Sequence, residues 1–224
     1  MSDREIILQA IRTGKRPSGS PHLPAPVPAR GQLEGAPRRD LFVKMARDAA
    51  ATIELIDDPK SIPDRVAQYL ASHNLPSRLV LASDTAITGL PWADHPLLAH
   101  RTGPATGQDH AALTSAFAAV AETGTLALTS GADTPTTLNF LPEHCLVLLS
   151  ASAICGTYEE LWQKLRAATD GGATGAKEAG ETHWPRAVNL VTGPSRSADI
   201  EQKLLMGAHG PVKLHILLVN DGAQ

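Results

Sequence analysis

The chain has 224 residues, with 20 Lys and Arg against 23 Asp and Glu, so its formal net charge is −3 and its pI is near 6.3. This length suits one substantial domain that is stable without a disulfide or a metal, and the absence of a basic run excludes a nucleic-acid footprint. The longest apolar stretch, residues 145–155, is about half the length of a membrane-spanning helix. Because the N-terminus carries acids and lacks the apolar region of a secretory signal, we expect a cytoplasmic protein with no membrane span.

Two cysteines, Cys145 and Cys155, are too few for an iron–sulfur cluster, which needs about four thiolates. They also lack the CxxC spacing of zinc and thiol-redox sites. We expect buried free thiols, with a disulfide as the alternative. The chain has no GxGxxG after a strand, no Walker-type loop and no HExxH spacing. The sequence therefore predicts that this chain itself binds no metal and no cofactor.

Residues 1–37 are predicted to form a helix followed by a proline-rich arm, and residues 38–224 a single domain. Helices and short apolar strands alternate from Asp40 onward, which is typical of an α/β fold with a mostly parallel sheet flanked by helices. The predicted helices are Leu41–Ala51, Pro63–His73, Ser115–Val120, Tyr158–Ala168 and Asp199–Leu205. The predicted strands are Thr52–Ile56, Arg78–Ala82, Leu97–His100, Leu126–Thr129, His144–Leu149, Val188–Thr192 and Leu214–Val219. The glycine-rich residues 171–180 are predicted to be either a disordered loop or a lid.

The segment TGPSRSADIE, residues 192–201, follows a predicted strand. Ligands of open α/β sheets bind beyond the carboxyl ends of strands, so this is the first place to look for a site. Gly193 turns the chain, and a helix is predicted to begin near Ser197 or Asp199. Helix capping explains most of the segment, but it leaves Ser195 and Arg196 unexplained. Together with exposed amides, these two side chains would hold a carboxylate or a phosphate.

The segment AETGT, residues 121–125, lies between a predicted helix and a predicted strand. A left-handed C-cap would by itself explain Gly124. Glu122, beside Thr123 and Thr125, is a candidate general base, nucleophile or ligand-orienting group.

The third segment is GAHGP, residues 207–211, which leads into the last strand. His209 lies in a glycine-flanked turn, where its ring has room to face a cleft, transfer a proton or bind an anion. The alternative is an incidental surface histidine. Gly210 follows it directly. His215 lies within the alternating pattern of the last predicted strand, so its role is predicted to be structural.

These three motifs, in this order and spacing, resemble the LUD-domain family and within it the lactate utilization protein C group. The resemblance extends from about Asp40 to the C-terminus. It implies a NagB/RpiA/CoA-transferase-like fold, which also includes formyltetrahydrofolate cyclo-ligase. It further implies a role in oxidising lactate to pyruvate beside two cysteine-rich iron–sulfur partner proteins that carry the clusters.

Three functions remain open at this point. The first is a cluster-free subunit of a lactate-oxidising complex that contributes substrate contacts or assembly. The second is a self-sufficient isomerase-, CoA-transferase- or cyclo-ligase-like enzyme, and the third is a non-catalytic scaffold that senses a small carboxylate. A homo-oligomer is possible in each. The candidate catalytic residues are Glu122 and His209, and the candidate anion-binding residues are Thr123, Gly124, Thr125, Gly193, Ser195, Arg196, Ser197 and Gly210.

Overall fold

The computed structural model describes residues 4–5, 9, 28–170, 184–197, 205–207 and 210–221. The predicted N-terminal helix and proline-rich arm fall largely outside these ranges, and the 171–180 loop and His209 fall outside them entirely. None of the helices within these ranges is long and apolar enough to cross a membrane. The helices are α1 (Gly35–Asp48), α2 (Ile62–Ser72), α3 (Thr85–Thr88), α4 (Thr137–Phe140) and α5 (Tyr158–Asp170). The strands are β1 (Thr52–Ile56), β2 (Arg78–Leu81), β3 (Ala99–Thr102), β4 (Ala111–Ser115), β5 (Ala118–Val120), β6 (Thr125–Thr129), β7 (His144–Ser150), β8 (Ile154–Cys155), β9 (Val188–Val191), β10 (Arg196–Ser197), β11 (Leu205–Met206) and β12 (Lys213–Val219).

A six-stranded sheet in the order β1-β12-β7-β4-β2-β3 forms the centre of the fold, and every neighbouring pair in it is parallel. The predicted α/β class with a mostly parallel sheet is therefore confirmed. The strands that the sequence predicted lie within two residues of their observed bounds. The central strands β7 and β12 were recognisable because both of their faces are covered, which makes each of them a nearly continuous apolar run.

Alternating residues of the central strands pack on opposite faces. Leu146 and Leu148 of β7 belong to the core beneath α2, whereas Cys145, Val147 and Leu149 belong to the core beneath α1. This period of two is the geometry of a strand that is buried on both sides.

A smaller sheet in the order β8-β5-β6-β9 shares the second face of the parallel sheet with α1. Its β5–β6 and β6–β9 pairs are antiparallel, and its β5–β8 pair is parallel. Helix α5 covers the outer side of this sheet, where Leu161 packs against Ala118 and Val120. The molecule is therefore layered as helix, parallel sheet, α1 with the small sheet, and outer helix.

The predicted helix over Ser115–Val120 is wrong. Residues 111–115 form β4 and residues 118–120 form β5, which pairs with β6. Alanine favours a helix in isolation, but Ala118, Ala119 and Val120 are fully buried between layers. Tertiary burial has overridden the local helical preference.

Two further boundaries differ from the prediction. Helix α1 begins at Gly35, six residues before Leu41, because Pro37 lies in the first turn, where its missing N–H is not needed. The predicted helix over Asp199–Leu205 does not begin at Ser197 or include Leu205, since these two residues pair as antiparallel strands. Residues 198–204 lie outside the described ranges.

Candidate functional site

Four hydroxyl groups form a network that connects the first two motifs. Thr125, the first residue of β6, is fully buried. Its Oγ1 lies 2.7 Å from Thr192 Oγ1 and 2.8 Å from the Tyr158 hydroxyl. Thr123 Oγ1 lies 2.8 Å from Thr125 Oγ1 and donates to the Tyr158 hydroxyl at 3.2 Å. The AETGT and TGPSRS segments are therefore bonded directly although they are far apart in the sequence.

The C-terminal end of α1 packs against both motif glycines. Gly124 and Gly193 have left-handed backbones with φ of +68° and +74°. A Cβ at Gly124 would lie 2.7 Å from Ala46 Cα, and one at Gly193 would lie 3.0 Å from the carbonyl carbon of Ala49. Both the conformation and the close approach therefore require glycine. The left-handed Gly124 is confirmed, but it ends the turn of the β5–β6 hairpin and is not a helix cap.

The second motif also contacts α1 and the third motif. Arg196 Nη2 donates to the carbonyl oxygen of Ala49 at 2.6 Å. The backbone N of Ser195 donates to the carbonyl oxygen of Pro211 at 2.9 Å. A Cβ at Gly210 would lie 3.4 Å from the Cβ of Ser195, so these two residues are close neighbours. The described parts of all three motifs thus form one contiguous group, the three-motif cluster, which comprises residues 121–125, 192–197, 207 and 210–211.

This cluster lies at the amino ends of the parallel strands. Pro211 lies two residues before the start of β12, and Ala49 lies three residues before the start of β1. The sequence had suggested the carboxyl ends, because TGPSRS follows a strand. That strand is β9, which belongs to the small sheet, so the carboxyl-end rule for the parallel sheet does not apply to it.

The described contacts of Glu122 and Ser197 are made by their backbones. The backbone N of Glu122 donates to the carbonyl oxygen of Gly156 at 3.2 Å, and the residue is half-buried. Within the described ranges, the Glu122 carboxylate makes no hydrogen bond or ion pair. Ser197 is extended and pairs with Leu205.

A buried group of one tyrosine and two histidines lies at the same end of the sheet. The Tyr69 hydroxyl of α2 lies 3.0 Å from His144 Nδ1, at the start of β7. Its ring stacks on that of His215 in β12, with centroids 4.4 Å apart. Thr52 Oγ1 lies 2.8 Å from His215 Nδ1. The prediction that His215 is structural agrees with this buried position.

Burial determines the ionisation of this group. It raises the pKa of Tyr69 to about 12 and lowers the pKa of His144. Burial, followed by the electrostatic effect of nearby His73, lowers the pKa of His215 to about 4. Among the described residues, His215 Nε2 has no hydrogen-bond partner, and the Oε2 of Glu54 is 3.7 Å away. Both imidazoles are therefore neutral near pH 7.

Sequence reasoning missed Tyr158 and Ala49 as parts of the cluster. Tyr158 begins α5, and Ala49 follows α1, so neither carries a local signal of a site. A weak signal existed for the buried imidazoles, because His144 and His215 fall on the same alternating positions as the apolar residues that face α2.

In the described ranges, no group of three or more His, Cys, Asp and Glu residues is placed to hold a metal ion. Cys145 on β7 and Cys155 on β8 are buried free thiols, as predicted. Burial raises the pKa of Cys145 to about 12 and also raises that of Cys155. Neither side chain is available as an exposed thiolate.

Comparisons with known proteins agree with the motifs. The LUD domain family model matches residues 106–219. Lactate utilization protein C of Anoxybacillus flavithermus is 34% identical over 102 residues, which cover 46% of this chain and 40% of that protein. The protein of the same name from Bacillus subtilis is 32% identical over 114 residues, covering 51% and 44%. The match therefore spans about two-fifths of the length of these curated relatives. The protein YkgG of Escherichia coli is 29% identical over 202 residues, covering 85% of this chain and 83% of that protein.

The fold is also found in a solved structure. A DUF162 family protein from Deinococcus radiodurans superposes with a TM-score of 0.57 at 20% identity, covering 84% of this chain and 99% of that one. The family match includes all three motifs and half of the chain. The chain belongs to the LUD domain family.

Proposed function

We propose that this chain is the cluster-free subunit of a cytoplasmic, iron–sulfur-dependent system that oxidises L-lactate to pyruvate, and that its three-motif cluster contacts the substrate carboxylate. The observation that carries the proposal is the convergence of the three motifs. Ser195 meets the Gly210–Pro211 segment, and Thr125 bonds to Thr192, so one continuous group is formed from distant parts of the chain. The name of the lactate utilization protein C relatives supplies the substrate.

The donors in this cluster suit a carboxylate. A guanidinium has five N–H donors, and the contact of Arg196 with Ala49 uses one of them. Arg196 is exposed, so its remaining donors can form charge-assisted bonds with an anion. The Ser195 hydroxyl lies on the same loop. These groups would bind and orient lactate without performing its oxidation.

The oxidation removes two electrons and two protons from lactate. The two buried thiols of this chain support the assignment of the electron carriers to two cysteine-rich iron–sulfur partners. The protons need an acceptor close to the substrate hydroxyl. Glu122, half-buried in the first motif, and His209, directly before Gly210, are our candidates for that role.

The test is reconstitution of the chain with its two iron–sulfur partners, followed by L-lactate-dependent reduction of an artificial electron-acceptor dye. We expect no activity from the chain alone. In the complex, Arg196→Ala should raise the KM for lactate about tenfold or more, as expected for a lost charge-assisted bond. The matched control is Arg47→Ala, which removes the same charge from an exposed position on the neighbouring helix α1. Activity without partners, or equal KM values in both variants, contradicts the proposal.

Glu122→Gln separates this proposal from a self-sufficient transferase. If Glu122 is the proton acceptor, Glu122→Gln should lower kcat in the complex, while the variant still assembles with its partners. A glutamate that acts as a nucleophile should instead form a covalent acyl intermediate in the isolated chain when acyl-CoA is supplied. Such an intermediate, detected by mass spectrometry, would favour the transferase function.

A further inference from the structure

A large cavity lined by described residues lies away from the three-motif cluster. It has a volume of about 690 Å³, within the range of small-molecule sites. It opens where Phe117 follows β4 and where β6 ends at Thr129. The three-motif cluster contacts the other end of β6 at Thr125, about 13 Å away for a five-residue strand. The cavity therefore lies toward the carboxyl end of β4, the side on which open α/β sheets bind ligands.

The walls of this cavity combine aromatic, aliphatic and hydroxyl side chains with one cation. Trp184, which is 46% exposed, and Phe117 are the aromatic side chains among the described lining residues. Leu165 belongs to the aliphatic part of the wall. Arg186 is the one charged side chain among the described lining residues, and none of them is a carboxylate. The hydroxyl-bearing lining residues are Thr129, Ser130, Thr136 and Thr169.

Hydrogen bonds fix the rim of the cavity. The backbone N of Ser130 donates to the carbonyl oxygen of Ala187 at 2.9 Å, and the backbone N of Ala187 donates to Ser130 Oγ at 2.8 Å. Thr134 Oγ1 donates to the carbonyl oxygen of Thr129 at 2.9 Å. The segment that carries Trp184 and Arg186 is thus tied to the end of β6, so a ligand would not have to organise this part of the wall.

We propose that this cavity binds a planar aromatic anion of about the size of flavin mononucleotide. The ring would stack on Trp184 beside Phe117, and the anionic group would pair with Arg186 and the neighbouring hydroxyls. Aromatic faces bind flat rings through offset stacking, and guanidinium groups bind phosphates through paired hydrogen bonds. This site is distinct from the three-motif cluster and does not depend on lactate binding.

The experiment is a titration of the full chain with flavin mononucleotide, followed by quenching of flavin fluorescence, with riboflavin as the counterpart that lacks the phosphate. We expect saturable quenching and a roughly tenfold weaker affinity for riboflavin. Trp184→Leu should abolish most of the quenching, and Trp184→Tyr should restore part of it. Arg186→Gln should lower the affinity for flavin mononucleotide to that for riboflavin. Arg166→Gln, which alters an exposed arginine on α5, should leave both affinities unchanged.

Absence of saturable binding overturns the proposal, as does equal affinity for the two flavins. If Arg186 serves only to support the end of α5, Arg186→Gln will lower the melting temperature without changing flavin affinity, which also overturns it. The outcome is independent of the proposed function, because Arg196→Ala should keep flavin binding and Trp184→Leu should keep the KM for lactate.

Discussion

Replacing His215 with asparagine should remove much of the acid sensitivity of this protein. His215 is 7% exposed and accepts or donates a hydrogen bond at Nδ1 with Thr52. The asparagine amide can occupy the position of Nδ1 and keep that bond, but it cannot gain a proton. The substitution therefore tests the ionisation of the imidazole rather than its packing alone.

The direction in which stability changes with pH follows from the difference between the pKa of His215 in the folded chain and its pKa in the unfolded chain. Burial and the electrostatic effect of His73 lower the folded pKa from 6.5 to about 4. Glu54 acts in the opposite direction, but its side chain is 32% exposed, so solvent screens its charge and burial dominates. The unfolded chain thus binds a proton more readily, and stability is lost as the pH falls from about 6.5 toward about 4. Two pKa values this far apart lower the free energy of unfolding by about 2.5 kcal/mol at pH 4.5.

Urea unfolding at pH 7.5, 5.5 and 4.5 measures this loss for each protein against its own value at pH 7.5. The wild type should lose about 2.5 kcal/mol more between pH 7.5 and 4.5 than the His215→Asn variant. His144 also has a lowered pKa and will leave part of the acid sensitivity in both proteins. The control is His100→Asn, which alters an exposed histidine on β3 and should keep the full wild-type loss. A pH dependence in His215→Asn equal to that of the wild type would show that this imidazole is not held neutral by burial.

Three further outcomes follow from the described contacts. Gly124→Ala should destabilise the fold by roughly 2–4 kcal/mol in urea unfolding, because the left-handed turn abuts α1, whereas Gly107→Ala, with open space around it, should be nearly neutral. Thr125→Val should cost about 1 kcal/mol, because it removes the buried hydroxyl that bonds to Thr192 and Tyr158, and Thr125→Ser should recover most of that loss; equal effects of both would contradict the hydroxyl network. Cys145 and Cys155 should react with a thiol reagent at pH 8 only after denaturation, and rapid reaction of the native protein would show that they are accessible.

The sequence was most informative where burial on two faces produced continuous apolar runs. The strand predicted over His144–Leu149 was found as β7, and that over Leu214–Val219 as β12. It was least informative over residues 115–120, where small alanine side chains fit a helix and a tightly packed strand equally well. Whether a helix or a strand forms there depends on the layers that pack above and below β5, and the local sequence gives no information about those layers.

The candidate site shows the same division. The sequence offered residues of all three motifs as candidates for one site, and the contacts of Ser195 with the Gly210–Pro211 segment bring two of these motifs together. Tyr158 could not be predicted, because it reaches Thr125 only when α5 packs on the small sheet. The same holds for the contact of Ala49 with Arg196, which joins positions at opposite ends of the domain.

Helix α1 supports the three-motif cluster from outside the stretch that the family model matches. The matched residues 106–219 contain all three motifs, yet Gly124, Gly193 and Arg196 all contact the C-terminal end of α1. The chain continues from that end into β1, which pairs with β12 and places Thr52 beside His215. The three-motif cluster and the buried imidazoles therefore share one support. A change that displaces α1 should disturb both, because the glycine contacts and the Thr52 hydrogen bond are set by the same short segment between Ala46 and Thr52.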